Sequence, residues 1–104
     1  MADKAWKAFE RRVAAFFGCL RNPLSGSNSR HSESDTLHET LYIECKQKAR
    51  IANITLWDDT KIGATKEGKI PVVALSVKGR RGFWILCHSE DLTAIANQRL
   101  RVRL

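Results

Sequence analysis

Residues 32–49 read SESDTLHETLYIECKQKA, and three of them are equipped for chemistry: Asp35, Glu44 and Lys46. In LYIEC the residues Leu41, Ile43 and Cys45 alternate with Tyr42 and Glu44, the period of a β-strand. Strand interiors seldom hold charge without a partner. Positions 44 and 46 leave a strand on the same face. Asp35 stands nine residues before Glu44, at the start of the preceding strand segment, and can approach that face. Converging carboxylates repel each other unless a cation lies between them, and hard oxygen ligands suit Mg²⁺ or Mn²⁺. The backbone carbonyl of Cys45 offers a further oxygen. An ammonium at Lys46 would stand beside such a metal and its water, where it can hold a hydroxide or stabilise a pentavalent phosphate.

The elements that must position these groups follow from periodicity. Residues 3–17 predict an amphipathic helix, with Trp6, Phe9, Val13, Phe16, Phe17 and Leu20 at helical spacing and Gly18 as its stop. Asp3 suits the helix N-terminus. On a wheel the apolar residues occupy an arc of roughly 100°. Glu10 falls beside that arc, so it is the acid of this helix that points toward the core boundary and can reach the site. Residues 21–34 form a long, basic, Ser-rich loop, and long loops are usually functional or mobile. One or two strands are predicted over residues 35–47, then a second helix from near Ile54 to Gly68. The run IPVVALSV predicts a strand buried on both faces. KGRR is a basic turn, and GFWILCH the next strand. Ser89 is placed as the N-cap of a third helix, with Glu90 and Asp91 in its first turn. The tail RLRVRL suits a short edge strand or a frayed end. The order helix, strand, strand, helix, strand, strand, helix predicts a small α/β fold, a mixed sheet flanked by helices.

Bulk properties narrow the partner. The chain has 104 residues, enough for one domain, and a formal net charge of +7 from 18 Lys and Arg against 11 Asp and Glu. That surplus points to a polyanion, nucleic acid before an anionic membrane. No apolar run approaches the roughly 18–20 residues of a membrane span, and MADKAWKAFERR lacks a signal-peptide core. The expectation is a soluble intracellular protein. Cys19, Cys45 and Cys87 are widely spaced and read as reduced thiols.

The pair Ser34-Asp35 followed by IECK at 43–46 resembles the signature of PD-(D/E)xK nucleases. With Glu10 on the first helix, the loop RNPLSGSNS and the later KIPVVALSV, the chain resembles the Holliday junction resolvase-like branch over nearly its whole length. Ser34 stands where the motif's name has Pro. The resemblance implies a restriction-endonuclease-like core, a single nuclease domain over 1–104, and a metal-dependent, structure-selective DNA endonuclease. It implies that Asp35 and Glu44 bind Mg²⁺ or Mn²⁺, that Lys46 is the catalytic lysine, and that Glu10 assists metal or water. It also implies a home in the cytoplasm of a prokaryote or a phage-infected host. Gln47 matches the polar residue that often follows the lysine. A phosphate track would draw on Arg11, Arg21, Arg30, Lys48 and Arg50, with Lys78, Arg80 and Arg81 from the basic turn. Ser25 and Ser27 of the loop would join Gln47 in contacting DNA, branched DNA included.

Blander accounts compete at each position. Glu44 and Lys46 can be an exposed ion pair of little energetic weight, and Glu10 a solvated helix acid paired with Lys7. His31, Asp35 and His38 fit no standard zinc spacing. Cys45 has no histidine placed to activate it as a nucleophile. Trp57 and Trp84 are core residues or base-stacking platforms. A non-catalytic nucleic-acid-binding module of the same fold is the competing function. Cutting two strands needs two sites, which a symmetric homodimer provides. Its interface would use the tail Arg99–Leu104 or Ile54 and Trp57. Sedimentation at micromolar concentration, with and without junction DNA, is expected to show a dimer. A strict monomer in both conditions would remove paired incision.

Overall fold

The computed structural model describes residues 4–23 and 34–101. Three helices and a two-stranded antiparallel sheet make up the mixed α/β fold of these residues. The chain forms two compact units, Met1–Ala49 and Arg50–Leu104. Among the described residues no helix is long and apolar enough to cross a membrane.

In the first unit, helix α1 spans Ala5–Phe16. It follows an extended Lys4, and the expected Asp3 lies outside the described residues. Gly18 ends it with φ +70°, a conformation that suits a residue without Cβ, and its N–H reaches the Ala15 carbonyl at 3.1 Å. The predicted apolar face is not what this helix buries. Glu10 and Ala14 are its buried residues, while Phe16 and Leu20 are exposed. The reason is what faces them: the polar segment from Arg21 onward brings hydrogen-bonding groups, and buried groups of that kind need polar partners.

The two strands expected over residues 35–47 do not form a regular ladder. No regular strand forms there, and Thr36 makes one isolated antiparallel bridge with Arg21. Residues 35–37 nonetheless lie between two neighbours. The Asn22 N–H bonds the Asp35 carbonyl at 3.0 Å and the Leu37 N–H bonds the Leu20 carbonyl at 2.8 Å on one side. On the other, the Asp35 N–H bonds the Ile43 carbonyl at 3.0 Å. Side chains displace the rest of the ladder. The Ser34 hydroxyl accepts from the Ile43 N–H and donates to the Ile43 carbonyl, each at 2.9 Å. His38 Nδ1 accepts from the Thr40 and Leu41 N–H groups, each at 3.0 Å, which turns the chain. Side-chain bonds of this sort compete directly with strand pairing.

In the second unit, helix α2 spans Ala52–Glu67, two residues earlier in its start than expected because Ile51 supplies the first carbonyl. Gly68 closes it in the left-handed region, as predicted. Strands β1 (Val73–Leu75) and β2 (Trp84–Leu86) pair in the register Val73 to Leu86 and Leu75 to Trp84. The expectation of burial on both faces fails: along β1 only Val73 is buried. A two-stranded hairpin packing α2 against β1 covers one face within the unit and leaves the other open. Trp57 is buried, its ring 5.6 Å from that of His88, and so is spent inside its own unit, whereas Ile54 is exposed. The third helix enters through a 3₁₀ turn, Ser89–Asp91, so the cap falls on His88 Nδ1 and not on Ser89. Helix α3 then runs Leu92–Leu100, which makes the start of the expected tail strand helical; residues 102–104 lie outside the described residues.

Ser34 is 2 % exposed and joins two chain segments. Replacing it by alanine strands the Ile43 N–H. The Ser34→Ala variant is expected to lose about 1–3 kcal/mol of stability in urea titration. An unchanged midpoint would show that this hydroxyl does not hold the segment.

Candidate active site

Asp35 lies beside Ser34, and its position is over-determined. Its main-chain N–H and carbonyl are both bonded, and its carboxylate Oδ2 accepts the N–H of Cys45. That last bond ties the acid to the peptide between Glu44 and Lys46. Asp35 is 8 % exposed and Glu10 5 %. Glu10 is held by Arg21, whose Nε donates to Oε1 at 2.7 Å, and the same guanidinium lies 5.2 Å from the Trp6 ring centroid. Trp6 and Glu10 are four residues apart and share a helix face, so Arg21 closes onto both. The pairing of Glu10 is therefore with Arg21 and not with Lys7.

Glu44 and Lys46 leave this segment together, with Nζ 3.2 Å from Oε1. Both are exposed. Cys45 points the other way and is half-buried. Burial, then the negative charges of Asp35, Glu10 and Glu44, push its thiol up to about 11. One thiol thus feels all three carboxylates that the sequence singled out.

The donor set is hard oxygen throughout: three carboxylates and the Cys45 carbonyl, the chemistry that suits Mg²⁺ or Mn²⁺. Two of those acids, Glu10 and Asp35, are buried, and Glu10 is already paired with Arg21. In spacing, however, no three His, Cys, Asp or Glu side chains among the described residues are gathered closely enough to hold an ion.

Of the residues expected to contact DNA, Arg11 is exposed on α1, and Gln47 and Lys48 are exposed just beyond Lys46. Arg21 is 14 % exposed and committed to Glu10. Arg50 and Arg81 are exposed in the second unit, and the Arg80 guanidinium lies over the Trp84 ring at 4.8 Å. Ser25, Ser27 and Arg30 lie outside the described residues, as does His31. Sequence reasoning passed over Ser34 and Asn22. Ser34 appeared only as a departure from a motif's name, yet it bonds both backbone groups of Ile43. Asn22 is buried and donates to the Ser34 carbonyl at 3.0 Å. A short polar residue directly before the acid was the available signal for the first; nothing marked the second. No family model, no curated protein and no solved structure matches the chain.

The raised Cys45 value favours the neutral thiol in the folded chain. Its contribution to stability is complete below the ordinary value of 9.0 and is lost as pH rises toward about 11. A shift of that size lowers the thiolate fraction at pH 8 by about 100-fold, partly offset by the higher nucleophilicity of a more basic thiolate. In EDTA, iodoacetamide should label Cys45 at least about tenfold more slowly in the folded chain than in urea. Equal rates by peptide mass mapping would contradict a thiol shielded by burial and by nearby negative charge.

Proposed function

We propose that the chain is a metal-dependent DNA endonuclease of the PD-(D/E)xK kind, Holliday junction resolvase-like and selective for DNA structure. One observation carries the reading: the buried Asp35 carboxylate is bonded to the Cys45 amide, inside the Glu44–Lys46 stretch. A solvated ion pair at Glu44 and Lys46 would need none of this construction. The proposal takes residues 1–104 as one domain with a restriction-endonuclease-like core, its chemistry in the first unit. The active species is a symmetric homodimer acting on DNA.

Asp35, Glu44 and the Cys45 carbonyl would hold Mg²⁺ or Mn²⁺, with Glu10 as a further ligand. Such an ion, when bound, supplies Lewis-acid charge and lowers the pKa of a water. Lys46, paired with Glu44 at 3.2 Å, would donate to a non-bridging phosphate oxygen as negative charge builds up. In the hydrolysis the water oxygen bonds to phosphorus and gives up a proton to solvent as the ester P–O bond breaks, and the departing oxygen takes up a proton from solvent. Arg21 restricts Glu10 to one orientation. The net charge of +7 draws in the polyanionic substrate.

The exposed Glu44–Lys46 pair and the lack of a gathered ligand group among the described residues favour a second reading, a non-catalytic nucleic-acid-binding module. Cleavage separates the two. Supercoiled, linear and branched DNA would be incubated with Mg²⁺, Mn²⁺, Ca²⁺ or EDTA. Mg²⁺ and Mn²⁺ are expected to support cleavage, and Ca²⁺ to bind without supporting it, since the larger ion keeps a looser geometry. Asp35→Asn, Glu44→Gln and Lys46→Met should each lower the rate by at least about 100-fold. The Asn variant keeps an acceptor for the Cys45 amide. Binding in EDTA should be retained, because phosphate contacts supply most of the affinity. Wild-type cleavage by Glu44→Gln would dismantle the site assignment, and a wild type inert with every metal and substrate would favour the binding module.

A further inference from the structure

Between Glu67 and Glu90 the chain holds no acid, and its cations are Lys69, Lys78, Arg80 and Arg81. Lys69 is paired with Glu67 at 3.1 Å, which leaves the other three around the tip of the β1–β2 hairpin. The tip is built to present them. The Arg80 N–H bonds the Val77 carbonyl at 3.0 Å, and Gly79 sits at φ +84°, the requirement of a tight turn with a glycine at its third position. Immediately after this turn come two exposed aromatic side chains, Phe83 at 65 % and Trp84 at 45 %. Exposed apolar area next to concentrated charge of one sign marks an interaction surface.

The local geometry narrows the partner. Trp84 is paired with Leu75 across the hairpin and shares its face. An open depression of about 460 Å³ adjoins Trp84, lined also by Leu75, Val77, Arg80, Ile85 and Leu86 and by Asn53 from α2. The Arg80 guanidinium is stacked toward the indole at 4.8 Å. The surface thus combines a π-face, a cation at the ring, an amide and apolar walls. A nucleobase uses all four: it stacks, it meets an amide at its polar edge, and its phosphates meet the cations. A paired base in a duplex cannot present its face, so the partner must offer unpaired bases.

We infer that the β1–β2 hairpin is a binding site for unpaired DNA, with Trp84 stacked on a base, Asn53 at the base edge, and Lys78, Arg80 and Arg81 on the flanking phosphates. This rests on the reading of DNA as the partner, but it concerns different residues from the acid site and needs no metal.

The test is fluorescence anisotropy in EDTA with a labelled oligo-dT strand of about 15 nucleotides and a blunt duplex of equal length. The wild type should bind the single strand more tightly. Trp84→Leu keeps an apolar strand residue and removes the π-face; it should weaken single-strand binding by roughly 5- to 150-fold and leave duplex binding unchanged. Trp84→Phe should retain most of the affinity, and Arg81→Gln should reduce the salt slope by about one unit or less. Circular dichroism would verify that each variant is folded. Wild-type affinity in Trp84→Leu overturns the inference, as does an equal loss on duplex. So does a dimer that dissociates in Trp84→Leu while oligo-dT binding persists, since the hairpin would then be an interface between copies. If the wild type binds neither DNA, the DNA reading itself fails; if duplex is bound and Trp84→Leu changes nothing, only the hairpin assignment fails.

Discussion

The bond from the Cys45 amide to the Asp35 carboxylate is the constraint on which the candidate site depends. A carboxylate moved out of water must recover the hydration it loses, and a backbone N–H is one of the few donors available in an extended chain. Because the acceptor is a side chain and the donor belongs to the peptide between Glu44 and Lys46, one bond sets both the orientation of Asp35 and the distance to its neighbours. Ser34 repeats the device one residue earlier, with its hydroxyl between both backbone groups of Ile43. Together they hold residues 34–36 against 43–45 without a strand ladder.

Polar closure extends to the helix. Arg21 lies between the Glu10 carboxylate and the Trp6 ring, so the start of the loop is pinned to α1 by charge and by its flat guanidinium. A buried pair like this adds little net stability over an apolar contact, yet losing one partner would leave the other charge buried and cost several kcal/mol, about 3–5. Ala14 is the only buried apolar side chain among the described residues of the first unit; its other buried residues are Glu10, Asn22, Ser34, Asp35 and Thr36. The Thr36 hydroxyl is buried without a hydrogen-bond partner among the described residues, but the bonded groups around it tolerate few alternative arrangements, because exchanging one would leave its partner unpaired.

The second unit has the opposite character. Its buried residues include Trp57 and Val73, while Phe83, Trp84 and Ile85 are exposed on a hairpin of two short strands. With so little of the sheet covered inside the unit, the hairpin presents apolar and cationic side chains and no acid.

Much of the framework was legible in the amino-acid sequence. Glycines at 18 and 68 marked helix ends because only they enter the left-handed region cheaply. Glu44 and Lys46 do pair, though no strand forms there, and Glu10 is buried although the apolar arc beside it is largely not. Other features are not properties of any local stretch. That Arg21 and not Lys7 meets Glu10, that Ser34 and Asp35 take the hydrogen bonds a strand partner would have taken, and that the apolar faces of α1 and β2 stay largely exposed all depend on distant segments competing for the same groups. Periodicity reports which face is apolar, whereas burial depends on what comes to cover it. A carboxylate's type shows that it needs a donor, and only the folded chain settled that the amide of Cys45 is a donor to Asp35.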